Sequence, residues 1–261
     1  MYIDAHTHLI YKETFQNVPK HLKKIHKMMK NNNISYVVSN TSTPAYFHLI
    51  EHEKRYPEIL SAIAINRNLA KNKATHQEHL NLLRKNIEEL QPEAIGEAGL
   101  DYDTYFGVDF APFNQQYILE QEFQLAKQFD LPLIIHSWDS DEDLLSIFRR
   151  HHAEDMRIHI HGTQINKEFM QDFIDLGCYF SLSYSHHFNE PEMQFWIENV
   201  PFDKLMIETD SPYNPTVKNE HMKSSPVDVI DTYKLYCQKT SKELESVINQ
   251  VNTNFKRLYK I

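Results

Sequence analysis

The chain has 261 residues, which fits one large domain or two modest ones. Lysine and arginine number 27 against 36 aspartates and glutamates, so the formal charge is −9, which argues against holding polyanions by a long-range field. The five glycines, at 96, 99, 107, 162 and 177, spell neither a P-loop nor a dinucleotide-binding fingerprint, and two distant cysteines make neither a disulfide framework nor a thiolate zinc site. Low cysteine use, the lack of a signal-like leader and the lack of an apolar run of about 18 residues lead to the expectation of a cytoplasmic protein away from membranes.

In chain order, eight short apolar runs alternate with helical segments. The first, Tyr2–Ala5, leads into Asp4-Ala5-His6-Thr7-His8, where alternation puts His6 and His8 on one side. Ser35–Ser39 is the second, and Thr43 before Pro44 then marks a helix start. Ile59–Ile65 is followed by a basic loop with Arg67, Lys71 and Lys73; Arg67, next to the strand, is the choice for meeting substrate. Thr75 and Glu78 read as a capping box before Leu80, Leu82 and Leu83. Ala94–Glu97 ends in a carboxylate between Gly96 and Gly99, which suggests close backbone approach or unusual dihedrals there. Gln115–Phe129 is a long amphipathic helix, and Leu131–His136 is an apolar strand ending in histidine. Ser140 and Asp143 open Leu144–Arg150.

In the sixth run, Arg157–His161, the histidines 159 and 161 share a face; His161 is the expected ligand and His159 a packed or supporting residue. Asn166 caps Lys167–Leu176, and Gly177 fits a left-handed stop. Cys178–Ser183 precedes His186 and His187, to which no ligand role is assigned. Lys204–Glu208 leads to Asp210 at the rim, with Lys218, His221 and Lys223 beyond. Pro226–Gln238 and Lys242–Tyr259 close the chain as helices, the second opened by a Thr240/Glu243 box.

Eight strands alternating with helices over about 250 residues is the arithmetic of a TIM (β/α)8 barrel. With no linker in sight, residues 1–261 read as a single domain. The ionisable residues stand at the carboxyl ends of runs one, four, five, six and eight, which a closed barrel gathers at one mouth and an open sheet spreads along a line. His6, His8, Glu97, His136, His161 and Asp210 suit one or two divalent ions, Zn²⁺, Mn²⁺ or Mg²⁺, with Glu97 as the bridging candidate. Such a set activates water near neutral pH, so a metallohydrolase is expected.

The segments IDAHTHL (3–9), IGEAGLDYD (95–103), LPLIIHS (131–137), HIHG (159–162), MIETDSPYNP (206–215) and VNTNFKRLY (251–259) resemble the TatD family of metal-dependent deoxyribonucleases, within the amidohydrolase-like barrels. The resemblance implies that His6, His8 and Asp210 hold one ion, His136 and His161 the other, and Glu97 bridges. It implies phosphodiester hydrolysis, often 3′–5′ at DNA ends, by metal-activated hydroxide, with Asp210 and Glu97 as catalytic groups and Asp210 taking or relaying a proton. Three substrate-side positions depart from the family. Ala64-Ile65-Asn66-Arg67 stands for Gly-x-His-Pro, His136-Ser137-Trp138 for His-x-Arg, and Gly162-Thr163 follows His161 where the family has an aromatic. Arg67 and Trp138 are the substituted substrate contacts, with Trp138 and Tyr213 able to stack on a base or sugar. Two alternatives stay open: a hydrolase of a small amide, lactone or phosphoester, and a non-catalytic barrel within a defence or repair assembly.

Overall fold

The computed structural model describes residues 1–102, 111–162, 165–183, 190–216 and 219–261. The expectations for Thr163, His186, His187 and Lys218, and for the His221 side chain, fall outside the described residues. Eight strands pair in chain order and all in parallel: β1 (Tyr2–Thr7), β2 (Ile34–Thr41), β3 (Ile59–Ile63), β4 (Ala94–Asp101), β5 (Leu133–Trp138), β6 (Ile158–Ile160), β7 (Tyr179–Leu182) and β8 (Leu205–Ile207). β3 and β5–β8 are apolar and buried almost throughout, as strands covered on both faces must be.

Closure comes just past β8. Thr7 bridges Ser211 in parallel, the Asp210 amide donates to the His6 carbonyl at 2.9 Å, and the His8 amide donates to the Ser211 carbonyl. Beneath this seam the buried Asp4 carboxylate accepts from the Thr209 amide at 2.9 Å and the Thr209 hydroxyl at 2.6 Å. The first strand is therefore tied to the last, and the sheet is a nearly closed barrel.

The outer layer is α1 (Val18–Asn31), α2 (His76–Leu90), α3 (Pro112–Phe129), α4 (Asp141–Arg150), α5 (Lys167–Asp175), α6 (Glu190–Asn199), α7 (Val229–Thr240) and α8 (Leu244–Tyr259). α1 buries Val18, Leu22, Ile25 and Met29, an i, i+4, i+7, i+11 stripe that faces the sheet. Between β2 and β3 the covering element is a 3-10 helix, Pro44–Arg55, which packs Phe47 and Ile50 inward. A two-stranded ribbon, β9 (Pro215–Thr216) with β10 (Asn219–Lys223), follows β8.

Several expected caps take other partners. Thr43, Thr75, Ser140 and Asn166 precede their helices as read, but none makes a side-chain cap bond. The Asn166 amide instead reaches the Asp141 carboxylate at 2.9 Å, and Ser140 Oγ the Leu100 carbonyl at 3.2 Å. Thr240 bonds back to the Tyr236 carbonyl at 2.8 Å, so no box opens α8; the capping box that forms is Ser225 with Asp228. Ser140, Asn166, Thr75 and Thr240 thus turn to tertiary or backward acceptors. Gly177 does adopt a left-handed φ of 80°. Among the described residues no helix is long and apolar enough to cross a membrane.

Candidate metal centre

His6 and His8 leave β1 on one side, as strand alternation requires, and their Nε2 atoms stand 3.2 Å apart. His8 Nδ1 donates to the Asn40 carbonyl at 3.1 Å, which leaves its Nε2 as a lone pair facing the mouth. Asp210 sits in the left-handed region at φ 53°, pinned by its amide bond to His6, and this turn aims its carboxylate back at β1. Asp210 Oδ1 lies 3.5 Å from His6 Nε2 and 3.3 Å from His8 Nε2.

A second trio forms on the neighbouring strands. His136 Nδ1, His161 Nε2 and Glu97 Oε1 are separated by 3.1, 3.1 and 3.2 Å. The other oxygen of Glu97, Oε2, turns to the first group, 3.4 Å from His8 Nε2 and 3.9 Å from His6 Nε2. One carboxylate thus offers each oxygen to a different histidine pair. Its position depends on the flanking glycines. A Cβ on Gly96 would stand 2.6 Å from the Ile134 Cβ, and one on Gly99, at φ 131°, would stand 2.0 Å from the His136 carbonyl oxygen.

These spacings fit divalent cations. Two donors bonded at about 2.0–2.1 Å in tetrahedral directions lie about 3.4 Å apart, close to most of the distances within both groups. The donor types, neutral imidazole and carboxylate, suit Zn²⁺ and Mn²⁺. Behind the donors lies a supporting layer. Buried Glu208 accepts the Gly162 amide at 2.9 Å, pairs with His161 Nδ1 at 3.4 Å and takes the Ser181 hydroxyl; Ser181 in turn meets His159 Nε2 at 2.8 Å. His159 is the packed, supporting histidine that the sequence suggested, and Glu208 orients its neighbour's ring as carboxylates commonly do behind metal-binding imidazoles.

The electrostatics divide the histidines. Burial, with His161 and His8 adding to it, keeps His6 well below the usual imidazole range. For His161 burial pulls down, but Glu97 and Glu208 outweigh it and lift the ring to about 10. Burial also opposes charge on His8, and Asp210 with Glu97 reverses it to a net rise. Glu97 would be raised by burial, yet Arg67 and His161 hold it well below the carboxylate range. A cation bound here would therefore displace protons from His8 and His161.

The cluster lines a cavity of about 550 Å³ that also takes in Arg67, Trp138 and Tyr213. Arg67 reaches Glu97 Oε1 at 3.1 Å and Asp101 Oδ2 at 3.9 Å, while its Nη1 finds no aligned hydrogen-bond acceptor. Its loop is held on several sides: the Ile65 amide donates to buried Glu122 at 2.8 Å, the Asn66 amide to the Ser42 carbonyl at 2.6 Å, and His76 Nε2 meets the Ala70 carbonyl at 2.6 Å. Lys71 and Lys73 are not among the described lining residues, and exposed Lys223 pairs with Glu13 at 2.7 Å. All six expected ligand residues and both expected substrate residues thus come to one mouth. The sequence reading missed Asn40, Asp4, the Glu208–Ser181 link and Asp101, whose Oδ2 lies 3.4 Å from His136 Nε2. The polar run Ser39-Asn40-Thr41-Ser42-Thr43 at the end of an apolar strand was the available signal for Asn40.

A parallel (β/α)8 barrel with histidine and carboxylate clusters at its carboxyl mouth defines the metal-dependent hydrolase class. Within that class the chain belongs to the TatD related DNase family, whose model matches residues 3–260. The uncharacterized metal-dependent hydrolase YcfH of Escherichia coli K12 is 29% identical over 180 residues, 69% of this chain and 67% of that protein. The human 3'-5' RNA nuclease TATDN2 is 28% identical over 223 residues, 81% of this chain and 28% of that protein. Among solved structures, the TatD homologue YjjV of E. coli K12 superposes with a TM-score of 0.86 over 100% of this chain and 98% of that one, at 19% identity, a likeness of fold.

Proposed function

We propose that this chain is a two-cation phosphodiesterase that trims nucleic-acid ends, DNA first, in the 3′–5′ direction. His6, His8 and Asp210 would hold one ion, His136 and His161 the other, with Glu97 between them and Zn²⁺, Mn²⁺ or Mg²⁺ as the metal. The observation that carries this reading is the division of the Glu97 oxygens between two histidine pairs at 3.1–3.9 Å. When bound, such ions supply Lewis-acid charge to a phosphoryl oxygen and an activated water near neutral pH.

The chain's own groups do the rest. Asp210, at the rim and poised beside both β1 histidines, takes the proton of the incoming water. Arg67 lines the cavity beside Glu97, to which its guanidinium ion-pairs at 3.1 Å, and a guanidinium there is suited to a phosphate oxygen. Trp138 offers a face for a base or sugar. The barrel is read as a single domain over residues 1–261, and its two unpaired cysteines support a reducing, cytosolic setting.

The test is metal analysis of purified protein, followed by cleavage assays on 5′-labelled single-stranded DNA and RNA with Mn²⁺ or Zn²⁺, against a panel of small esters, lactones and amides. Stepwise shortening from the 3′ end supports the proposal. Turnover of the small panel with oligonucleotides untouched would replace it with the small-substrate hydrolase, and absence of bound metal and of all turnover would favour a non-catalytic role.

A further inference from the structure

The overall charge of −9 hides a strong polarity. Residues 12–30 contain six lysines, at 12, 20, 23, 24, 27 and 30, and one acid, Glu13; the remainder carries 21 basic against 35 acidic residues, a formal −14. Five of the six lie on α1, which has no acidic residue at all. Lys20, Lys23, Lys24 and Lys27 follow i, i+3, i+4, i+7 spacing and are exposed on the face opposite the buried Val18, Leu22, Ile25 and Met29. A helix that is merely solvated interleaves glutamates with lysines, which stabilise it through i, i+4 pairs. Here Lys30 pairs with Glu58 at 2.9 Å, and among the described residues Lys20, Lys23, Lys24 and Lys27 form no ion pair.

The stripe is continuous with the catalytic cavity. Exposed Lys12 and the adjacent Tyr11 line the cavity wall, and Phe15, three residues before α1 begins, lines it too. A second cavity of about 160 Å³ shares His8 and Tyr11 with the first and is walled on its far side by His21 and Lys24 of α1. From Lys20 to Lys30 the helix runs about 15 Å, the reach of two or three extended nucleotides.

We infer that the lysine face of α1 is a backbone track for single-stranded nucleic acid, holding the part of the strand that trails out of the mouth past Tyr11. The inference rests on the proposed nuclease function for its substrate. The track binds phosphates without reading bases, so it acts on affinity for long strands and on their salt dependence. It leaves short substrates, confined to the cavity, unaffected.

The test is a fourfold variant, Lys20→Gln, Lys23→Gln, Lys24→Gln and Lys27→Gln, with the matching Lys→Arg fourfold variant as a charge-retaining control. Binding of a fluorescent 15-nucleotide strand is followed by anisotropy over a salt series, and turnover is measured on that strand and on a dinucleotide. The glutamine variant should bind the 15-mer tenfold or more weakly at low salt and lower the slope of log K against log salt by about 2 to 3. Its dinucleotide turnover should equal wild type, and the arginine variant should match wild type throughout. An unchanged slope, or an equal loss on both substrates, overturns the track. So does a glutamine variant that loses binding to phosphatidylserine vesicles while holding the 15-mer normally, since the face would then serve a membrane. If wild type cleaves neither strand, the nuclease proposal fails, and the anisotropy slope still decides the track.

Discussion

Glu122 allows a quantitative test of how the loop carrying Arg67 is held. Its carboxyl is buried in α3 and accepts the Ile65 amide at 2.8 Å, two residues before Arg67. Burial raises it from 4.5 to about 8, against the smaller opposing pull of the Ile65 amide and Arg67. A carboxyl raised in the folded state stabilises the protein fully below its unfolded value and loses that contribution as pH climbs to the folded value. The window is therefore pH 4.5 to 8, and at about 1.4 kcal/mol per pH unit the gap amounts to about 5 kcal/mol. Glu122→Gln keeps the acceptor for Ile65 and removes the titration. Urea unfolding of wild type and variant at pH 5 and pH 8.5, with EDTA present, gives the double difference. Glu53, buried and raised to about 7, titrates in the same window but cancels between the two proteins. The variant should gain several kcal/mol relative to wild type on going to pH 8.5. Parallel pH dependences of the two would refute the assignment of a buried neutral acid at this position.

Three further outcomes are expected. On the proposed two-cation reading, Glu97→Ala should empty both cation positions and abolish turnover, with metal per chain by plasma emission as the readout; retention of the full metal complement would remove the proposed bridging role. Arg67→Ala should raise KM about 10- to 100-fold, the worth of one charged hydrogen bond, with metal content unchanged, as steady-state kinetics on an oligonucleotide would record. Glu208→Ala frees the His161 ring and the Gly162 amide and should weaken cation affinity about 10- to 100-fold in competition with a chelating dye, while leaving the donor atoms themselves in place.

The barrel was legible because its strands are short, apolar and separated by amphipathic segments. The proposed ligands were legible because each stands in or just past such a strand as a residue that apolar packing alone does not favour. His136, following Leu133-Ile134-Ile135, is the plainest case. Strand ends were less so: β4 runs to Asp101, four residues past Glu97, because Gly99 and Leu100 continue the pairing to His136 and Ser137. Two of the caps failed for a shared reason. Asn166 and Ser140 look locally ideal, but their side chains meet acceptors on other elements that no local pattern contains. The Glu208–Ser181–His159 relay has the same character. Its members lie on β7, on β6 and just past β8, and only barrel register sets them side by side. The charge of −9 is a sum over the chain and does not display the lysine face of one helix.

The latch between Asp4 and Thr209 spans 205 positions of sequence, and the groups it steadies, His6, His8 and Asp210, come from both sides of that span. No partly folded intermediate lacking the final β-segment can bring these three proposed ligands together. On the proposed ligation, uptake at the His6–His8–Asp210 group would report completion of the whole ring, and a chelator-sensitive Co²⁺ signal from that group would time the last act of folding.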